Sequence, residues 1–170
     1  MDLGHYIRDV PDFPVNGILF KDITPLLADP CALRSAVDGL VEQYRDAGVE
    51  LIAAIESRGF LFGAPMAYQL DCGLVPIRKP GKLPHETISV EYSLEYGTNT
   101  LEMHRDAIAP GQRVLVVDDL LATGGSARAA IELVERAGGD VVGACFLIEL
   151  VALGGVAQLS EYDVYSAIQF

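Results

Sequence analysis

The chain has 170 residues, 51% of them hydrophobic and 21% charged, and a net charge of −12. That is globular composition, enough for one domain burying about 70% of its unfolded surface. The acidic balance excludes a general nucleic-acid binder, which needs a basic face, and no apolar run approaches the about 18–20 residues of a membrane span.

Residues 1–28 contain Pro11, Pro14, Gly17 and Pro25 and read as irregular. A helix then opens at Asp29 as a cap, with Pro30 in the first helical position, and Gly48 closes it. Its apolar face is Leu33, Val37, Leu40, Val41 and Tyr44, spaced at the helical period. Leu51–Ile55 reads as a short buried strand ending at Glu56-Ser57-Arg58-Gly59, and a second helix is expected from about Gly63 to Asp71.

Leu74–Ile77 reads as a further strand, leading into Arg78-Lys79-Pro80-Gly81-Lys82-Leu83-Pro84. Residues 86–104 alternate around Tyr92, Leu94 and Tyr96 and predict an exposed hairpin or mobile flap. A strand over 113–119 follows, then a helix from about 124 to 137, a stop at Gly138-Gly139, and strands near 141–149 and 163–168. Strands alternating with helices imply an α/β fold, a parallel sheet covered on both faces, in a single domain over 1–170. Ligands in such sheets sit beyond the carboxyl ends of the strands, where the loops 56–59 and 118–126 lie.

The second of those loops carries the strongest chemical signal. Val114–Val117 runs into Asp118-Asp119, then into Ala122-Thr123-Gly124-Gly125-Ser126 at a helix start. Free N–H groups at a helix start, with glycines admitting a ligand to the main chain, make a phosphate cradle. Adjacent carboxylates suit ribose hydroxyls or a metal, so the turn predicts a phosphorylated sugar; a plain acid pair capping the turn is the alternative. Local charge agrees with an anionic ligand. Between Ser57 and His85 stand Arg58, Arg78, Lys79 and Lys82 against one acid, Asp71. Ser57-Arg58-Gly59 could take a second phosphate, or could be a surface arginine after a tight turn.

Other features read as structure. Cys31, Cys72 and Cys145 are odd in number and too widely spaced for a disulfide framework or a zinc pattern, and suit a reducing cytoplasm. His5, His85 and His104 share no metal-ligand spacing. The acidic, proline-containing N-terminus lacks signal-peptide form. Acids of the 91–97 stretch read as solvated surface, and Phe13, Phe20 and Lys21 as packing near the chain start.

Taken together, Phe13-Pro14, the run Gly17–Pro25, Ser57-Arg58-Gly59-Phe60, Arg78-Lys79 with Lys82-Leu83-Pro84, the run Tyr92–Gly97 and the run Val117–Gly125 resemble the type I phosphoribosyltransferases. The N-terminal and flap motifs resemble their adenine-using group. Ser126 stands where that group commonly has Thr, and Lys21 where Arg also occurs. The resemblance implies a base-recognising hood over 1–28, a flexible flap over 86–104, and transfer of a 5-phosphoribosyl group from 5-phosphoribosyl-1-pyrophosphate to adenine, giving AMP and pyrophosphate.

It also implies roles. Ala122–Ser126 would hold the 5′-phosphate, and Asp118 and Asp119 the ribose hydroxyls. Ser57, Arg58, Lys79 and Lys82 would contact pyrophosphate, with Mg2+ carried on that group and no protein metal site. Arg78 would reach across to the partner subunit's site of a homodimer. Phe20 would stack on adenine while main-chain groups of Leu19 and Lys21 read its edge. Glu95 would assist proton movement, and Tyr96 would close the flap. Two alternatives keep part of this: a 6-oxo purine as the base, or a non-catalytic sensor of the sugar pyrophosphate. Neither nucleic acid nor membrane is expected as a partner.

Overall fold

The computed structural model describes residues 1–94 and 97–170. The first 28 residues are more ordered than the prolines suggest. A 3-10 turn over Leu3–Tyr6 leads into an antiparallel ribbon, β1 (Arg8–Pro11) with β2 (Leu19–Asp22), and a short helix α1 (Thr24–Ala28). Each ribbon strand is four residues long and its burial does not alternate, so the period-2 signal of a half-buried strand is missing.

Helix α2 (Pro30–Tyr44) begins where the sequence places it, with the Asp29 carboxylate accepting from the N–H groups of Cys31 (2.9 Å) and Ala32 (2.8 Å). It ends four residues before Gly48; a turn closed by Ala47 N–H to the Tyr44 carbonyl fills the gap, and Gly48 takes φ +64° to reverse the chain. Asp29→Ala should cost about 1 kcal/mol, the usual price of a lost N-cap, read as a lower urea midpoint at unchanged slope. An unchanged midpoint would deny the cap any energetic role.

Strand β3 (Leu51–Ile55) matches its expected bounds, but helix α3 (Arg58–Leu70) starts five residues before Gly63. Gly59 and Pro65 are not breakers here. Phe62 and Met66, one turn apart and fully buried, anchor the helix on the sheet despite the missing Pro65 N–H. Gly59 is small because a Cβ there would lie 3.0 Å from Asp118 Oδ1 and from the Val117 carbonyl.

Strand β4 (Gly73–Ile77) is followed by the antiparallel hairpin β5 (Thr87–Ser93) and β6 (Thr98–His104). The hairpin is not simply exposed: Val90, Leu101 and Met103 point inward and are buried. Strand β7 (Arg113–Leu121), helix α4 (Gly125–Arg136), strand β8 (Asp140–Glu149), 3-10 turns over Val151–Leu153 and Gly155–Leu159, and strand β9 (Val164–Gln169) complete the chain.

The five long-range strands form one parallel sheet in the order β4-β3-β7-β8-β9. Alternate side chains feed two cores. Ala53, Val116 and Phe146 pack with α4 and the hairpin, whereas Ile52, Val117 and Leu147 pack with α2 and α3. The strand order turns back between β3 and β7. In open α/β sheets that reversal leaves a crevice at the carboxyl ends, where ligands bind.

Candidate active site

At that crevice the two strands end at different heights. Pairing of β3 with β7 stops at Ala54↔Val117, while β8 keeps pairing β7 as far as Leu121↔Glu149. The sequence places Asp118 and Asp119 at the end of their strand; they lie inside it, on a stretch that has lost its β3 neighbour and faces the start of α3. Both are buried. Asp119 Oδ2 accepts from Arg58 Nε at 2.6 Å, and Asp118 Oδ1 accepts from the Asp119 N–H at 2.9 Å. Burial, then the Asp119 charge, push the Asp118 carboxyl well above the usual carboxylate range.

Beyond the acids the chain turns through Ala122–Gly124 into α4. Gly124 has φ +90° and no side chain to cap the helix, so the first-turn N–H groups of α4 are left without a side-chain acceptor. Main-chain atoms of the Gly155–Leu159 turn back this loop: a Cβ on Gly124 would meet the Gly155 carbonyl at 2.7 Å, and one on Gly155 would meet the Ala122 carbonyl at 2.4 Å. On the other side Tyr92 of β5 leans over Gly125, 3.2 Å from where its Cβ would be.

Two clefts share Arg58, Asp118 and Asp119 as their common wall. One, of about 170 Å³, extends along Ala122, Thr123, Gly124 and Ser126. The other, of about 260 Å³, extends toward Glu56, Ser57 and Lys79. A helix-start cradle on one side, cations on the other and paired acids between them would accommodate a polar ligand with anionic groups at both ends.

Most of the residues singled out in the sequence therefore converge, and some do not. Arg78 and Lys82 turn to the buried Glu56 carboxylate (3.2 and 2.5 Å) rather than lining the cleft. Burial pushes Glu56 up, but the Lys82 hydrogen bond, the Lys79 N–H and the charges of Lys82 and Arg78 outweigh it, so its carboxyl titrates below the ordinary range. Such a group stabilises the fold above the ordinary carboxylate pKa, and that contribution is lost as pH falls through the lowered value.

Phe20 joins the site through the Arg58 guanidinium, 5.5 Å from its ring centre, and through Phe13, edge-on at 5.1 Å. The Lys21 ammonium points to Asp9 (2.6 Å) and the Phe170 ring (3.9 Å). Leu19 is half exposed on β2. Glu95 and Tyr96 lie outside the described residues. Glu56, Tyr92 and Gly155 also belong to the site, though no motif chemistry in the sequence marks them as such. Glu56 had a signal, standing immediately before Ser57 and just outside the window in which cations outnumber acids.

A family model described as "Phosphoribosyl transferase domain" matches residues 28–165. The class is thus a phosphoribosyltransferase. A Gloeobacter violaceus protein named adenine phosphoribosyltransferase is 62% identical over 161 residues, covering 95% of this chain and 94% of that protein. The crystal structure of adenine phosphoribosyltransferase from Thermoanaerobacter pseudethanolicus superposes with a TM-score of 0.97 at 54% identity, covering 99% of this chain and 98% of that one. The Saccharomyces cerevisiae enzyme, solved with D-2,5-dideoxy-2,5-imino-altritol 1,6-bisphosphate and adenine, gives 0.92 at 39% identity, covering 98% and 96% of the two chains. The chain belongs to the adenine phosphoribosyltransferase family.

Proposed function

We infer that this protein is a pentosyltransferase of purine salvage that moves the 5-phosphoribosyl group from 5-phosphoribosyl-1-pyrophosphate to adenine, giving AMP and pyrophosphate. The observation that carries the reading is the pair of buried acids on β7, flanked by the α4 cradle on one side and the Arg58–Lys79 cleft on the other. Within it, the main chain of Ala122–Ser126 binds the 5′-phosphate and Asp118 with Asp119 the ribose hydroxyls. Arg58, Lys79 and Ser57 face the pyrophosphate.

Departure of pyrophosphate leaves oxocarbenium character on the sugar, as in glycoside chemistry. The buried acids hold the ring in one orientation and lower the energy of that positive charge. Phe20, with Arg58 near its ring, offers the stacking surface for adenine, and main-chain groups of Leu19 and Lys21 read its edge. Glu95 handles the proton at the base, and Tyr96 with Tyr92 keeps water from the anomeric carbon.

The donor set fits a Mg2+ ion that arrives on the substrate rather than one held by the protein. Both Glu56 oxygens are taken by cations and N–H donors, so that carboxylate is not free to coordinate it. Asp118 and Asp119, which line the same cleft, would offer oxygens to its outer coordination. Bound there, it would neutralise charge building on the departing pyrophosphate.

A homodimer is supported by Tyr68, 88% exposed, with Leu61 on the same face of α3 and Leu74 on the adjacent edge strand β4. The free Cys31, Cys72 and Cys145 suit a reducing cytoplasm, and among the described residues no helix is long and apolar enough to cross a membrane.

Purified protein with Mg2+, the sugar pyrophosphate and each purine in turn should form AMP from adenine far faster than any other nucleotide. Preference for a 6-oxo purine, which needs a donor where adenine needs an acceptor, would overturn the choice of base. Donor binding with no nucleotide formed from any base would leave a sensor.

A further inference from the structure

Glu56 is a carboxylate at the wall of a cleft that calls for an anion. Its side chain is only 7% exposed, at the carboxyl end of β3. An acid in that place repels the ligand unless it does something for the cations around it. Here it does. Oε1 accepts from the Lys79 N–H at 2.8 Å and from Arg78 Nε at 3.2 Å, and Oε2 accepts from Lys82 Nζ at 2.5 Å. These bonds tie the turn after β3 to a segment, 78–86, that has no strand or helix of its own. The far side of the segment is tied to β6, by Arg78 and Glu102 exchanging main-chain bonds and by Gly81 N–H reaching Glu102 Oε2 at 3.3 Å.

The result is a division of labour among three consecutive-region cations. Arg78 and Lys82 are spent on Glu56. Lys79 is pinned at its main chain, lines the cleft, and among the described residues has no carboxylate within 4.0 Å of its ammonium. We propose that Glu56 is a positioning residue for the pyrophosphate cleft, acting through Lys79. It holds the 78–82 segment so that the Lys79 ammonium faces Arg58 across the cleft, and it neutralises the two neighbouring cations that do not. The proposal rests on reading this cleft as the pyrophosphate seat.

Glutamine is the informative replacement, because it has one acceptor oxygen where three donors converge. Either its amide N–H₂ meets the Lys82 ammonium, or it meets the Lys79 N–H and Arg78. One end of the tie must open. Magnesium pyrophosphate, titrated calorimetrically, should bind E56Q about tenfold more weakly than the parent, while AMP binds within about twofold. In a Lys79→Ala background the same change should weaken pyrophosphate less than about twofold, since the group acted upon is gone. Glu56→Asp keeps the charge and both oxygens and should recover the parent affinity to within about threefold.

Equal losses in both backgrounds would mean that Glu56 acts by general destabilisation, and would overturn the proposal. Tighter binding by E56Q would make Glu56 a competitor of the ligand, and an Asp variant as weak as the Gln variant would remove the role of the charge; either outcome overturns it as well. A parent protein that binds AMP but no pyrophosphate overturns the reading of the cleft and the proposal with it. A parent that binds pyrophosphate as E56Q does overturns the positioning role alone.

Discussion

Asp118→Asn should give a protein that melts a few degrees higher than its parent and transfers phosphoribosyl groups about 10²–10³-fold more slowly. The stability gain follows from the direction of the Asp118 shift. Its carboxyl titrates above the ordinary range because it is buried against a second carboxylate. A group whose folded pKa exceeds its unfolded value favours the fold fully at pH below the unfolded value, and that favour disappears as pH rises through the folded value. Near neutrality the parent carries this strain. Asparagine is uncharged throughout, keeps an oxygen for the Asp119 N–H, and can donate to the Asp119 carboxylate.

The gap between the two melting curves should therefore open as pH climbs from the ordinary carboxylate pKa upward, by about 2–4 °C for each kcal/mol relieved in a chain of this size. The activity loss comes from the same substitution. A hydrogen bond to a charged acceptor is worth about 1.5–3 kcal/mol, and misorienting the sugar adds to its loss. Calorimetric melting between pH 5 and 8, beside kcat/KM for the sugar pyrophosphate, measures both. Identical melting curves would remove the electrostatic strain, and undiminished kcat/KM would remove Asp118 from the site.

How much of this was legible in the sequence depends on the range of the interaction. The strands β3 and β7 and helix α4 could be read because each is a run whose own composition decides its fate: Leu51–Ile55 and Val114–Val117 are continuous apolar runs, and Gly138 ends the helix by taking φ +89°. The N-terminal ribbon could not, since Arg8–Pro11 and Leu19–Asp22 become strands by pairing with each other across a loop in which Asp12 takes φ +56°. The start of α3 was hidden because Gly59 looks like a breaker until Asp118 is found 3.0 Å from its missing Cβ.

The site itself was partly legible for the same reason. The α4 cradle and paired acids sit within one stretch of chain, so their chemistry is visible locally. That the acids lie within β7 rather than after it depends on β8 outrunning β3, which no local pattern records. The roles of Arg78 and Lys82 depend on Glu56, 22 and 26 residues earlier in the chain. Charge counted along a segment registers cations; only the fold says which of them are already spent.

Gly155→Ala should unseat the phosphate cradle from behind. A Cβ at this position would sit 2.4 Å from the Ala122 carbonyl and 3.0 Å from Leu121, both at the entrance to the Ala122–Ser126 loop. Carbonyl and Cβ cannot approach so closely, so either the Gly155–Leu159 turn or the loop must move, and the turn is itself packed against the core by Leu159, which is fully buried. Overpacking of this kind costs about 1–3 kcal/mol. More of the effect should appear in function, because the cradle works by aiming main-chain N–H groups and a displacement of about 1 Å can cost 10²-fold. AMP affinity should fall by about 10–10²-fold, with a lower melting temperature. Gly154→Ala is the matched control. Its φ of +66° strains alanine, at about 1 kcal/mol of stability, but nothing lies within 4 Å of the new Cβ, so AMP affinity should stay within about twofold of the parent. Equal AMP affinities for the two variants would show that the cradle does not depend on the Gly155 turn for its shape.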